Sequence, residues 1–190
     1  MSDGTQQLRE PAWVDAVLRF WFETLTPQAW FKRDDAVDAE IRQRFASLHA
    51  QLAAADHVGV PANARTALAT VIVLDQFPRN MFRGTPQAFS GDLKARQVTK
   101  AAVAAGLDRE LDTNGRVFLY LPLEHSEDAE DQCLSVALIS VLGDANYTKF
   151  AQAHKVIIDR FGRFPHRNAA LGRTSTPKEI AFLAEPCSSF

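Results

Sequence analysis

The run 67–74 is apolar on every side of a helix except at Thr70. A helix with no polar face must be surrounded by other elements. At this length it is far too short to span a bilayer, so the surrounding shell has to be protein. Gly59 and Pro61 break the chain ahead of it, and Asn63 predicts the N-cap of a helix over 64–76.

The shell is legible as helical periodicity. Val14, Val17, Leu18, Trp21 and Leu25 repeat at helix spacing, which predicts a helix over 12–23 with Pro11 at its first turn. Val37, Ile41, Phe45, Leu48 and Leu52 form a second stripe, with Asp34 and Asp35 at the end where the helix dipole favours negative charge. Residues 92–105 are Ala-rich and stop at Gly106. Residues 116–123 have the propensity of a short strand, but no partner strand exists elsewhere, so they are assigned to a short buried helix. Ser126 is the expected cap of a helix reaching Gly143 that is apolar almost all round. Asn146 is expected to open the next, with Tyr147, Phe150, His154, Ile157, Ile158 and Phe161 on one face. Thr176, Pro177 and Glu179 have capping-box spacing, which predicts a last helix over 177–184. The expectation is one all-α domain over 1–190, built of about seven to nine packed helices as helix pairs.

Composition narrows the partners. A net charge of −2 over 190 residues, with pI near 6.2, offers no broad basic face for nucleic acid. No membrane span is expected, and residues 1–11 lack the apolar core of a signal peptide. Cys133 and Cys187 fit neither a disulfide framework nor a zinc site, so a reducing, cytoplasmic home is expected. Neither metal nor cofactor is called for by any spacing, and the P-loop, G-x-G-x-x-G, G-x-S-x-G and H-E-x-x-H patterns are absent.

Three polar clusters interrupt this apolar background. In the first, 74–86, Gln76, Arg79, Asn80 and Arg83 share a face if the helix runs past Pro78; Pro78 disfavours helix at Phe77 and predicts a kink that frees carbonyls near the two Arg. The second, 124–131, sums to −5; its Ser126–Asp131 portion is an ordinary first turn, but Glu124 and His125 follow an apolar run and are candidates for general acid/base work. The third, 154–175, sums to +4 and contains His154, Arg163, His166, Arg167 and Arg173. Its charge complements the second, and Glu124 or Glu127 is expected within ion-pair reach of Arg79, Arg83, Arg160, Arg163 or Arg167.

The strings 74–86, 120–128 and 160–168, with 17–22 and 171–177, resemble the bacterial and plant family known as domain of unknown function 924. The resemblance implies an all-α, tetratricopeptide-like fold, here without the repeat consensus. It implies no activity and lends no catalytic residue.

Arg holds carboxylates and phosphates in a bidentate fork. The residues therefore suggest a site for a small anionic ligand or acidic peptide end, lined by Arg79, Asn80, Arg83, Arg163, His166 and Arg167. Two other accounts stand beside it. One is a hydrolase with Glu124 or His125 as acid/base. The other is a ligand-free module in which the same Arg are consumed by acids. The sequence does not decide whether the chain is an enzyme, nor its oligomeric state.

Overall fold

The computed structural model describes residues 10–55, 59, 61–186 and 188; the expectations placed on the first nine residues and on Cys187 lie outside these. The regular structure is all helical, with no strand among the described residues.

The apolar run sits at the centre, as its lack of a polar face requires. Asn63 caps α3 (Ala64–Val71) by accepting from the Thr66 amide at 2.8 Å. A π turn, Ile72–Gln76, joins α3 to α4 (Phe77–Met81) as one unbroken rod, and residues 67–78 are all buried. The expected departure from helix at Phe77 does not occur, since Phe77 has φ −58° and ψ −40°. The widened turn absorbs the conflict one step earlier. Pro78 has no N–H to offer the Leu74 carbonyl, and its ring would crowd that oxygen in a regular helix. Gly91 lies tightly against the same oxygen: a Cβ there would come within 2.1 Å of it.

Around the rod pack α1 (Ala12–Arg19, continued by a π turn Phe20–Thr24), α2 (Asp35–Ala54), α5 (Asp92–Ala104) and α6 (Thr113–Glu124). Phe20, Trp21, Phe45, Phe77 and Phe118 interlock there, with ring centroids 4.8 to 6.2 Å apart. Residues 116–123 are helical, as part of α6, and residues 117–124 are buried. Then α7 (Ala129–Ser140) and α8 (Ala145–Phe161) follow as a sequential pair beside α6. The short α9 (Pro177–Leu183) opens with the expected capping box, and its Phe182 joins Ile157, Ile158 and Phe164 in a second apolar cluster.

Two caps differ from expectation. Asp128, not Ser126, caps α7, accepting from the Glu130 and Asp131 amides. Asp144, not Asn146, caps α8, accepting from the Asn146 and Tyr147 amides, because Asn146 is itself one of the residues with an orphan N–H. Nor is α7 apolar all round in its packing: its buried face is Asp131, Gln132, Ser135 and Ile139, while Val141 beyond its end is 74% exposed. Among the described residues no helix is long and apolar enough to cross a membrane.

Candidate functional site

The rod delivers a carboxylate to the interior. Asp75 lies in the π turn, is fully buried, and is the centre of a polar hub. His125, at the end of α6, donates from Nδ1 to both Asp75 oxygens at 2.9 and 3.0 Å. Gln76 donates to Asp75 at 2.6 Å, and Arg79 pairs with it at 3.1 Å. Burial works to raise the Asp75 pKa, but Arg79 and His125 outweigh it and hold the carboxyl well below the usual carboxylate range. The Asp75 carbonyl accepts from Arg79 Nη1 at 2.6 Å.

Arg79 also forms a bidentate pair with Asp92, at 2.9 and 3.0 Å, from the first turn of α5. Arg167 reaches the same carboxylate from the 3₁₀ turn Pro165–Arg167, at 3.3 Å, with its guanidinium carbon 4.8 and 4.5 Å from the ring centroids of Phe89 and Phe164. Burial and the neighbouring Arg79 pull Arg167 down to about 10, so it keeps its charge at neutral pH.

A second carboxylate–imidazole pair lies alongside. His154 of α8 donates from Nδ1 to the Phe150 carbonyl at 2.9 Å with the same nitrogen 3.0 Å from the Glu124 carboxylate, and its ring centroid is 6.0 Å from that of His125. Glu124 and His125 thus do not act on each other. Adjacent helical residues project about 100° apart, so each side chain finds its own partner. The His166 ring lies tilted against Phe164 with centroids 5.5 Å apart, and burial, with Arg167 and the other two His, pushes it down to about 3.

The acidic and basic segments do meet, through an arginine outside the expected set. Glu127 pairs bidentately with Arg173 at 2.7 and 2.9 Å and accepts from the Phe164 amide at 2.8 Å. No ion pair joins Glu124 or Glu127 to Arg79, Arg83, Arg160, Arg163 or Arg167; Glu124 is paired with His154 instead.

The remaining predicted site residues fall elsewhere. Asn80 and Arg83 both bind Asp38 of α2, at 2.7 Å and at 2.5 to 2.8 Å, beside an open groove of about 360 Å³. Arg163 is held by Glu179 of α9 at 2.6 and 2.8 Å. Glu124, His125, Arg79, His166 and Arg167 are therefore brought together, while Asn80, Arg83 and Arg163 are not among them. Sequence reasoning missed Asp92, because an acid in a helix's first turn is commonplace. Asp75 did carry a signal, as the charge that ends the apolar run 67–74. Among the described residues no three His, Cys, Asp or Glu side chains are grouped as metal ligands.

Fold and hub together define an all-helical domain organised around a buried Asp–His–Arg centre. The chain belongs to the family described as bacterial protein of unknown function (DUF924), whose pattern matches residues 17–187. It is similar in structure to the protein of unknown function ATU0120 from Agrobacterium tumefaciens, with 38% identity over 91% of this chain and 97% of that chain, and a TM-score of 0.86. No curated protein matches the chain.

Proposed function

We propose that the chain binds a small anionic ligand, or the acidic end of a peptide, at the hub where Arg79, His125, His166 and Arg167 meet. The state of Arg167 supports this reading most. The residue is 6% exposed, and its Nε is buried without an acceptor. Its ionic partner is an Asp92 oxygen that already accepts from Arg79 at 3.0 Å. A buried cation short of acceptors is costly, and a ligand oxygen supplies what is missing. The rings of Phe89 and Phe164 lie within 4.8 and 4.5 Å of the guanidinium carbon, and an incoming oxygen would be met by its N–H groups. The hub is not sealed: Arg79 and Asp92 side chains are 20% and 19% exposed.

In this reading Asn80, Arg83 and Arg163 serve structure, since their partners Asp38 and Glu179 are close and buried. A free, exposed thiol at Cys133 supports the cytoplasmic setting.

The test is titration calorimetry with inorganic phosphate, glutarate and a short peptide ending in Glu. Saturable heat is expected from at least one of them. Arg167→Gln should weaken it by at least about tenfold, a loss of about 1.4 kcal/mol, and Arg83→Gln should leave it unchanged. Absence of heat with all three, or equal loss in both variants, contradicts the reading.

A further inference from the structure

We propose that the hub is also a hydrolytic centre, in which His125, oriented by Asp75, acts as the general base that activates water against an ester whose acyl part carries a second, anionic group. The inference rests on the anion-binding reading above, which supplies the hold on that group.

The geometry carries it. Both Asp75 oxygens accept from His125 Nδ1. An ionised carboxylate can only accept, so the Nδ1 position holds the proton and Nε2 keeps a lone pair. Among the described residues no group bonds that second nitrogen, and the His125 side chain is 15% exposed, so water can reach it. Asp75 is fixed in turn by Gln76 and Arg79, which makes the imidazole's orientation rigid. The groups facing His125 are Asp75 of the π turn, Arg79 of α4, His154 of α8 and His166 of the 3₁₀ turn. Burial lowers the imidazole's pKa and leaves it neutral at pH 7, the form a base requires. The second pair, Glu124–His154, is 4–5% exposed, with the His154 ring centroid 6.0 Å from that of His125.

The step balances with water as the co-reactant. Nε2 takes a proton from water as the water oxygen bonds to the acyl carbon. The tetrahedral intermediate then expels the alkoxide, breaking the acyl C–O bond, and the imidazolium returns its proton to that leaving oxygen. Asp75 stays ionised and stabilises the imidazolium meanwhile. Arg167 and Arg79 hold the anionic group of the substrate. The products are a carboxylic acid and an alcohol, and His125 is neutral again.

The probes are mono-4-nitrophenyl glutarate and the uncharged 4-nitrophenyl butyrate. The acidic ester should be cleaved at least about tenfold faster in kcat/KM than the neutral one. The rate should fall as pH drops below neutral, with a midpoint under the ordinary imidazole value of 6.5. His125→Gln should lose at least about a hundredfold in kcat while its helical circular dichroism stays that of the unaltered chain. Where that variant unfolds, diethyl pyrocarbonate answers on the unaltered chain: loss of cleavage should track carbethoxylation of His125 by mass spectrometry, and glutarate should slow both. Glutarate heat without release of nitrophenol above buffer overturns the hydrolytic centre and leaves the binding reading standing. Loss of both overturns both. Cleavage that ignores the acyl charge, or survives modification of His125, also overturns the proposal.

Discussion

Asp75 carries more of the interior's polar bonding than any neighbouring residue of the central rod. It is wholly buried and answers to His125, Gln76 and Arg79. Replacing it by Ala strands Arg79 and His125 without their shared acceptor, and the expected cost is about 3–5 kcal/mol by urea denaturation. A loss under about 1 kcal/mol would show that the hub does not hold the fold together. The hub's imidazoles set the response to acid. His166 titrates near 6.5 when unfolded and is pushed down to about 3 when folded, chiefly by burial. As pH falls below 6.5 the unfolded chain takes up a proton that the folded chain refuses. Stability contributed by this group is therefore full above 6.5 and is lost progressively down to about 3. His125 is shifted in the same direction. The Asp75 carboxyl, held below its ordinary 3.8, adds its own loss only at lower pH, as the folded-state value is approached. Unfolding free energy at pH 5 should thus lie about 2 kcal/mol below that at pH 7 from His166 alone, and His166→Gln should flatten that slope. A flat profile in the unaltered chain would contradict the burial assigned to these rings.

At the scale of elements, the rod made of α3, the π turn and α4 depends on a small residue across from it. Gly91→Ala sets a methyl carbon 2.1 Å from the Leu74 carbonyl, and that oxygen belongs to backbone that cannot swing aside. The expected loss is about 2–3 kcal/mol in thermal or urea unfolding, against about 1 kcal/mol for Asn63→Ala at the cap of α3. A neutral Gly91→Ala would mean the π turn is not constrained by α5. Helices were readable wherever a stripe or an all-apolar run met water-facing neighbours, as at Val14–Trp21 and in 67–74. Residues 116–123 were ambiguous locally, and the absence of a partner strand settled them. The buried face of α7 was hidden, because Asp131, Gln132 and Ser135 look like solvent residues. They are inside because Arg96 and Lys100 reach Asp131 at 2.8 and 2.5 Å, and Gln132 donates to the carbonyls of Glu124 and Ser126 at 2.6 Å.

For the whole molecule, one contiguous core of aromatic and aliphatic side chains holds α1, α2, α3, α4, α5 and α6 together, and α7 and α8 complete the helix pairs. The polar hub lies where the rod, α5, α6, α8 and the 164–168 loop converge. Of that hub, Arg79, His125, His166 and Arg167 were legible as polar residues interrupting apolar helices. Their grouping was not, since Asp92 and Arg167 are 75 positions apart in sequence. Arg163 and Arg167 look alike in sequence, and only the fold gives one a close carboxylate of its own in Glu179 and leaves the other sharing Asp92 with Arg79. The central claim is that the buried Arg167 edge receives an anion. The Nε–Hε resonance of Arg167 in a ¹H–¹⁵N spectrum reports on that edge most directly, with Arg163, whose Nε donates to Glu179 at 2.6 Å, as internal reference. On titration with phosphate or glutarate the Arg167 signal should shift and saturate while the Arg163 signal stays in place. An Arg167 signal that does not move, or that moves only in parallel with Arg163, would contradict the account and leave the hub a purely structural centre.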